Sequence, residues 1–174
     1  MGRMRKGLKK LISGGQTGVD RAALDAALEA GYSIGGYCPK GRLAEDGSIP
    51  GHYPLEETGT RAYSVRTRMN VLAGDATLIL SLGAMLTGGT ALTAKEGKAA
   101  GKPLFAVDLS KRNNSAKKVL QWLEDNEVRV LNVAGPRESS APGVYLLAKK
   151  FLSKILEAPS LARKPRNKKT CGAG

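Results

Sequence analysis

Two segments of this chain combine glycine, threonine and the start of a helical pattern in a way that suits holding an anion. They are SGGQTGVD, residues 13–20, and LTGGTALTAKEG, residues 86–97. Each follows a short apolar run of strand length. Glycine lets backbone N–H groups approach an oxyanion closely, and the free amides and dipole at a helix N-terminus favour negative charge. Thr17 and Thr90 could each add a hydroxyl donor. A tight turn is the plain alternative for either loop taken singly, whereas two on successive strand-to-helix junctions point to phosphate or a related anion. Neither segment carries the Gly-Lys-Ser/Thr of a Walker A loop, and neither spells GxGxxG. That disfavours ATP hydrolysis and hydride transfer.

Between the loops lies a polar stretch, CPKGRLAEDGSIPGHYPLEETGTRAYSVRTRMN. Lys40 and Arg42 sit just past an apolar run, where a cation could complete an anion site or simply line a solvated loop. Arg66 and Asn70 are four apart in a helical pattern and share a face; Arg66 could meet a ligand anion or cover the surface. Arg61 and Arg68 are expected to face solvent. Glu45, Asp46, Glu56 and Glu57 form an unpatterned acidic group, and His52, the single histidine, has no evident Ser, Cys or metal partner. No nucleophile, base and orienter can be assembled, so no catalytic residue is assigned. Cys38 and Cys171 are far apart and belong to no CxxC or His-rich cluster. This argues against a disulfide framework and a protein-ligated metal.

These side chains need a scaffold, and the chain alternates two kinds of segment. Runs at residues 10–13, 32–37, 76–81, 103–108 and 128–133 have strand length and are bounded by turn residues. Helical spacing covers 20–30, 60–73, 91–100, 115–125 and 143–156. The first of these places Val19, Ala22, Ala23, Ala26 and Ala30 on one face, small enough to lie close to a sheet. Such alternation predicts an α/β fold with a mainly parallel sheet and helices on both faces, its ligands gathering at the carboxyl ends of the strands.

Composition sets the outer limits. The 174 residues are 41% hydrophobic and carry a net charge of +13, yet ten of the 28 lysines and arginines lie in residues 1–10 and 158–174. The stretch between holds 18 basic and 15 acidic side chains. The expected organisation is a basic N-terminal tail at 1–10, a single ligand-binding domain at 11–157 and a basic C-terminal tail at 158–174. Solvated tails are favoured over nucleic-acid contact, because the aromatic interleaving of a single-strand binder is missing. No membrane-length apolar run and no signal-peptide pattern occur, so a cytoplasmic protein is expected.

SGGQTGVDRAALDAAL, GGYCPKGRLAEDG, YSVRTRMNVLAGDATLIL and TGGTALTAKEGKAAGKP, in that order, resemble the family of putative molybdenum carriers. The similarity spans roughly residues 11–156. It implies a three-layer Rossmann-like fold related to lysine-decarboxylase-like and "Lonely guy" proteins. It further implies a homo-oligomer that holds molybdenum cofactor, a phosphate-bearing pterin whose dithiolene carries the metal, and stores, protects or delivers it to a molybdoenzyme apoprotein. On that resemblance, Gly14, Gly15, Gln16, Thr17, Gly18 and Asp20 form a first ligand loop, and Gly88, Gly89 and Thr90 a second. Lys40, Gly41, Arg42, Arg66 and Asn70 match the motifs between.

The related phosphoribohydrolases supply a competing expectation. Their second loop resembles PGGxGTxxE, with a carboxylate three positions after Thr that serves cleavage of a glycosidic bond. Here that position is Thr93, and Glu96 lies a further three along. A threonine cannot do a carboxylate's proton work. A binding protein is therefore preferred to a nucleotide-processing hydrolase; a nucleotide-ligand sensor module is a third reading.

Overall fold

The computed structural model describes residues 7–83, 85–111 and 115–158. The basic ends at 1–6 and 159–174, with Cys171, lie outside the described residues, so the reading of the tails has no structural counterpart here. Five parallel strands form the central sheet: β1 (Lys10–Ile12), β2 (Ser33–Gly35), β7 (Ala76–Ser81), β8 (Leu104–Asp108) and β9 (Val130–Ala134). Among the described residues, five helices connect or follow them: α1 (Val19–Glu29), α2 (Tyr63–Ala73), α3 (Gly88–Ala99), α4 (Ser115–Asp125) and α5 (Val144–Leu156). This is the expected three-layer α/β architecture. α1 packs on α5 and α5 on α4 over one face, while α2 and α3 pack together over the other.

The strand order is β2-β1-β9-β7-β8, with Leu11 opposite both Ile34 and Leu131, and Leu78 opposite Val133. The last strand is thus inserted into the middle of the sheet. Counted from β9 as if it came first, the order becomes 3-2-1-4-5, the doubly wound pattern. The chain has that topology with its first strand-helix unit moved to the end. Strand order reverses between β9 and β7, and the crevice beyond their carboxyl ends is where such sheets place ligands.

The two helical layers differ in chemistry. Against α1, α4 and α5 the sheet buries an aliphatic core that includes Leu11, Leu24, Leu78, Leu80, Val119, Leu131, Val133 and Leu152. Ala22, Ala23, Ala26 and Ala27 on α1 are essentially inaccessible, so α1 lies close to both the sheet and α5. A fully buried side chain of leucine size contributes roughly 1.5–3 kcal/mol relative to exposure. On the other face, α2 buries only Thr67, Asn70 and Val71, and α3 only Thr90, Thr93 and Gly97. Asn132 donates to the Thr77 hydroxyl at 3.2 Å, both buried. A buried polar layer of this kind persists only where its groups find partners.

Two small pairs complete the fold. β3 (Tyr37–Cys38) runs parallel to β6 (Glu56–Glu57), and β4 (Leu43–Ala44) forms an antiparallel hairpin with β5 (Gly47–Ser48). The single residue Gly36 separates β2 from β3. Its φ of +125° and the Ser13 carbonyl 2.2 Å from where a Cβ would stand both require glycine.

Candidate functional site

The first glycine loop runs from the end of β1 into α1, and its groups are tied together internally. The Ser13 hydroxyl donates to the Asp20 carbonyl at 2.9 Å and accepts the Gly15 N–H at 3.4 Å. Gln16 Oε1 accepts the Thr17 N–H at 3.0 Å and the Glu45 N–H at 2.9 Å, linking the loop to the β4–β5 hairpin. The Thr17 hydroxyl donates to Glu45 and accepts the Glu138 N–H at 3.2 Å. Gly15 and Gly18 have φ of +73° and +77°. A Cβ on Gly15 would stand 2.5 Å from Leu55 Cδ1, and one on Gly18 would stand 2.5 Å from the Pro136 carbonyl. These glycines are therefore demanded by turn geometry and close packing, apart from any ligand.

Asp20, buried to 3% exposure, turns its carboxylate back into the loop. Its Oδ2 accepts the Gln16 N–H at 3.3 Å and Arg66 Nη1 at 3.0 Å. Burial pushes its pKa above the ordinary carboxylate value, opposed by the Arg66 charge and by the Gln16 and Gly14 amides. The Arg66 guanidinium, anchored on α2, lies over Gly14, where a Cβ would stand 1.6 Å from Nη1. Arg66 Nε is buried without a hydrogen-bond partner among the described residues.

Beside this pair is a small pocket open to solvent. Gly14 and Asp20 line it from the loop, Arg66, Thr67 and Asn70 from α2, Thr93 from α3, and Asn132, Val133 and Ala134 from β9. It lies at the carboxyl end of β9, beside the reversal of strand order. The structure thus brings Gly14, Asp20, Arg66 and Asn70 to one place. Thr93, the position a hydrolase would give to its carboxylate, is here too, its hydroxyl donating to the Gly89 carbonyl at 2.8 Å. Glu96 is outside the pocket lining and faces Arg68 at 3.7 Å.

The other candidates are placed differently. The Asn70 amide is paired with β3: Oδ1 accepts the Tyr37 N–H at 2.8 Å, and Nδ2 donates to the Tyr37 carbonyl at 2.9 Å. Arg42, at φ +53°, sends its guanidinium to the carbonyls of Ile49, Pro50, Tyr53 and Leu55 at 2.9–3.2 Å. It organises the 42–55 segment from within. Lys40 and Gly41 are exposed, with the Gly41 N–H on Glu57 at 2.5 Å. Gly88 and Gly89 begin α3 and are exposed, with nothing within 4 Å of an added Cβ, while Thr90 is buried. Among the described residues, Thr87 makes no side-chain cap bond at the start of α3. By contrast, the Glu138 carboxylate accepts the N–H groups of Gly143 and Tyr145, at 2.5 and 3.0 Å, at the start of α5.

Cys38 is fully buried, with its thiol pKa pushed up by that burial, and does not line the pocket. His52 is exposed, its ring 4.0 Å from that of Tyr53. Arg61 is exposed and Arg68 is 70% exposed. Among the described residues no group of three or more His, Cys, Asp or Glu could hold a metal, and no helix is long and apolar enough to cross a membrane. Sequence reasoning missed Thr67, Asn132, Val133 and Ala134 as pocket residues, as well as the GPRESSAPG loop, residues 135–143, that braces the first loop. A glycine- and proline-rich segment between strand and helix was the available signal.

Comparison with known proteins agrees with this topology. Residues 11–156 match the Circularly permutated YpsA SLOG family, a description that fits a sheet whose first strand has moved to the end. A solved structure of a "putative molybdenum carrier protein" from Syntrophus aciditrophicus SB is 43% identical, with a TM-score of 0.83. The similarity covers 87% of this chain and 96% of that one. No curated protein matches at a comparable level. The inserted β9 and the matched span together place the chain in the Circularly permutated YpsA SLOG family.

Proposed function

We propose that this protein is a molybdenum-carrier-like binding protein that holds a phosphate-bearing pterin, the molybdenum cofactor, across its two glycine-rich loops. One observation carries the preference for holding over cleaving. Thr93 occupies the pocket wall where a hydrolase of the related type would need a carboxylate, and the acid that is present, Asp20, is committed to Arg66 and the loop amides. The name of the Syntrophus protein, a putative molybdenum carrier, supports the carrier reading.

The residues present fit two ends of such a ligand. The pocket is small and open to solvent, so on this reading it meets only one edge of the ring system rather than enclosing the ligand. Arg66, Thr67, Thr93 and Asn132 offer polar groups for that edge. The exposed Gly88 and Gly89 at the start of α3, where Thr87 makes no cap bond, suit the phosphate, with Thr90 behind them. The dithiolene of the cofactor supplies the metal's sulfur ligands, so the chain's task is to position and shield. On this reading Arg42 shapes the surrounding loop, the exposed Lys40 offers the ligand a cation, and the protein works as a cytoplasmic homo-oligomer that passes its ligand to an apoenzyme.

The test is competition binding of the cofactor against a panel of nucleoside monophosphates, with release of ribose 5-phosphate followed in parallel. The cofactor should win and no ribose 5-phosphate should appear. Turnover that disappears in Glu96→Gln would overturn the proposal, and a clear preference for a nucleotide would favour a sensor.

A further inference from the structure

The first glycine loop has the parts of an anion cradle, and the protein's own carboxylate already fills it. Asp20 Oδ2 takes the Gln16 N–H and Arg66 Nη1, and the Gly14 amide also donates to this carboxylate. The Gly15 N–H goes to the Ser13 hydroxyl and the Thr17 N–H to the Gln16 side chain. Every amide from Gly15 to Thr17 thus has an acceptor inside the protein. These are the same donors, backbone N–H groups and a guanidinium, that a phosphate oxygen would use. Asp20 is not free to leave: it stands in the first turn of α1 between Val19 and Ala22, both with no exposed surface. A phosphate entering the loop would meet a fixed carboxylate of like charge within hydrogen-bonding distance of the same arginine.

We infer that Asp20 is a specificity-determining residue that closes the Gly14–Gly18 loop to phosphate and turns the pocket floor into a charge-compensated wall for an uncharged, hydrogen-bonding ring edge. This rests on the proposed carrier reading and sharpens it, because it leaves the phosphate to the α3 end. It also gives the 13–20 motif a role opposite to its appearance. The loop excludes the anion it looks built to hold, and the Asp20–Arg66 pair offers the ligand a neutral surface.

The test uses inorganic phosphate as the probe. In an amide NMR titration of the full chain, the Gly14, Gly15 and Gln16 resonances should stay in place. In Asp20→Asn, which keeps the side-chain shape and removes the charge, phosphate should bind at least tenfold tighter than in the unaltered chain and shift those resonances. The gain should vanish in the double variant Asp20→Asn with Arg66→Gln. Saturable shifts at Gly14 and Gln16 in the unaltered protein would overturn the inference, as would an Asp20→Asn protein that gains nothing or keeps its gain without Arg66. The titration of the unaltered protein decides the matter even where the variant fails to fold. If phosphate perturbs neither loop of the unaltered chain, the proposed phosphate end at α3 fails, while a gain in Asp20→Asn would still support the role of Asp20.

Discussion

Replacing Gly14 with alanine should destabilise the protein through a specific route, the eviction of Arg66 from Asp20. The new Cβ would stand 1.6 Å from Arg66 Nη1 and 2.5 Å from Cζ, so the guanidinium must move. Its ion pair with Asp20, 3.0 Å long with side-chain exposures of 14% and 4%, would break. Orphaning one member of a buried pair costs about 3–5 kcal/mol. Here the arginine has a route to solvent and the carboxylate keeps its loop amides, so a smaller cost of about 2–3 kcal/mol is expected. For a chain of this size that corresponds to a fall in Tm of roughly 4–12 °C. Thermal and urea unfolding followed by circular dichroism would measure it. A double-mutant cycle isolates the cause: with Asp20→Asn already present, the cost of Gly14→Ala should drop by at least about 1 kcal/mol, since no charge is left to orphan. The sign with pH is fixed too. Losing Arg66 raises the Asp20 pKa further, and a protonated Asp20 does not need the arginine, so the deficit should be smaller at pH 5 than at pH 8. A loss below about 1 kcal/mol, or strictly additive effects, would refute this reasoning.

The second loop should respond oppositely. Gly89→Asp meets open space and puts a carboxylate at a helix N-terminus, worth about 0.3–1 kcal/mol in favour of folding, so stability should hold while cofactor affinity falls at least tenfold. Equal binding in a calorimetric titration would count against the proposed phosphate end. Arg42→Ala should cost about 2–4 kcal/mol in urea unfolding, because four carbonyl acceptors lose a charged donor, and Arg42→Lys should recover less than half of it. The β4–β5 hairpin should come loose in acid. Glu45 is held below its ordinary pKa of 4.5 by Ser139 and Thr17, and Asp46 below 3.8 by Arg21. Their stabilisation is complete above those ordinary values and is lost as pH falls through the lower folded ones, which the amide shifts of Glu45, Asp46 and Ser139 would follow.

The five main strands and five helices were legible because each is a local pattern: α1 shows its alanine face, β7 its apolar run, and Gly31 its stop. The position of β9 was not legible. Parallel strands carry little information about their neighbours, and the pairing of Leu131 with Leu11 joins residues at opposite ends of the chain. With β9 unplaced, its Asn132, Val133 and Ala134 could not be assigned to the pocket. The short β3–β6 and β4–β5 pairs also escaped notice, since two residues make no periodicity. Residue type identified Arg42 and Asn70 as polar groups in the right region, but not that both are turned onto backbone partners. That depends on which carbonyls and amides the folded chain turns toward them. The carboxylate of Asp20 was visible in the sequence; its return into the loop was not.

Native mass spectrometry of the protein purified from a cell that makes molybdenum cofactor bears most directly on whether this chain holds that ligand. One pterin phosphate per chain should be carried, identified by mass and by the fluorescence of its oxidised form, and it should be lost from Gly89→Asp without loss of folded protein. A nucleotide in its place, or an empty protein under conditions where cofactor is abundant, would contradict the proposal.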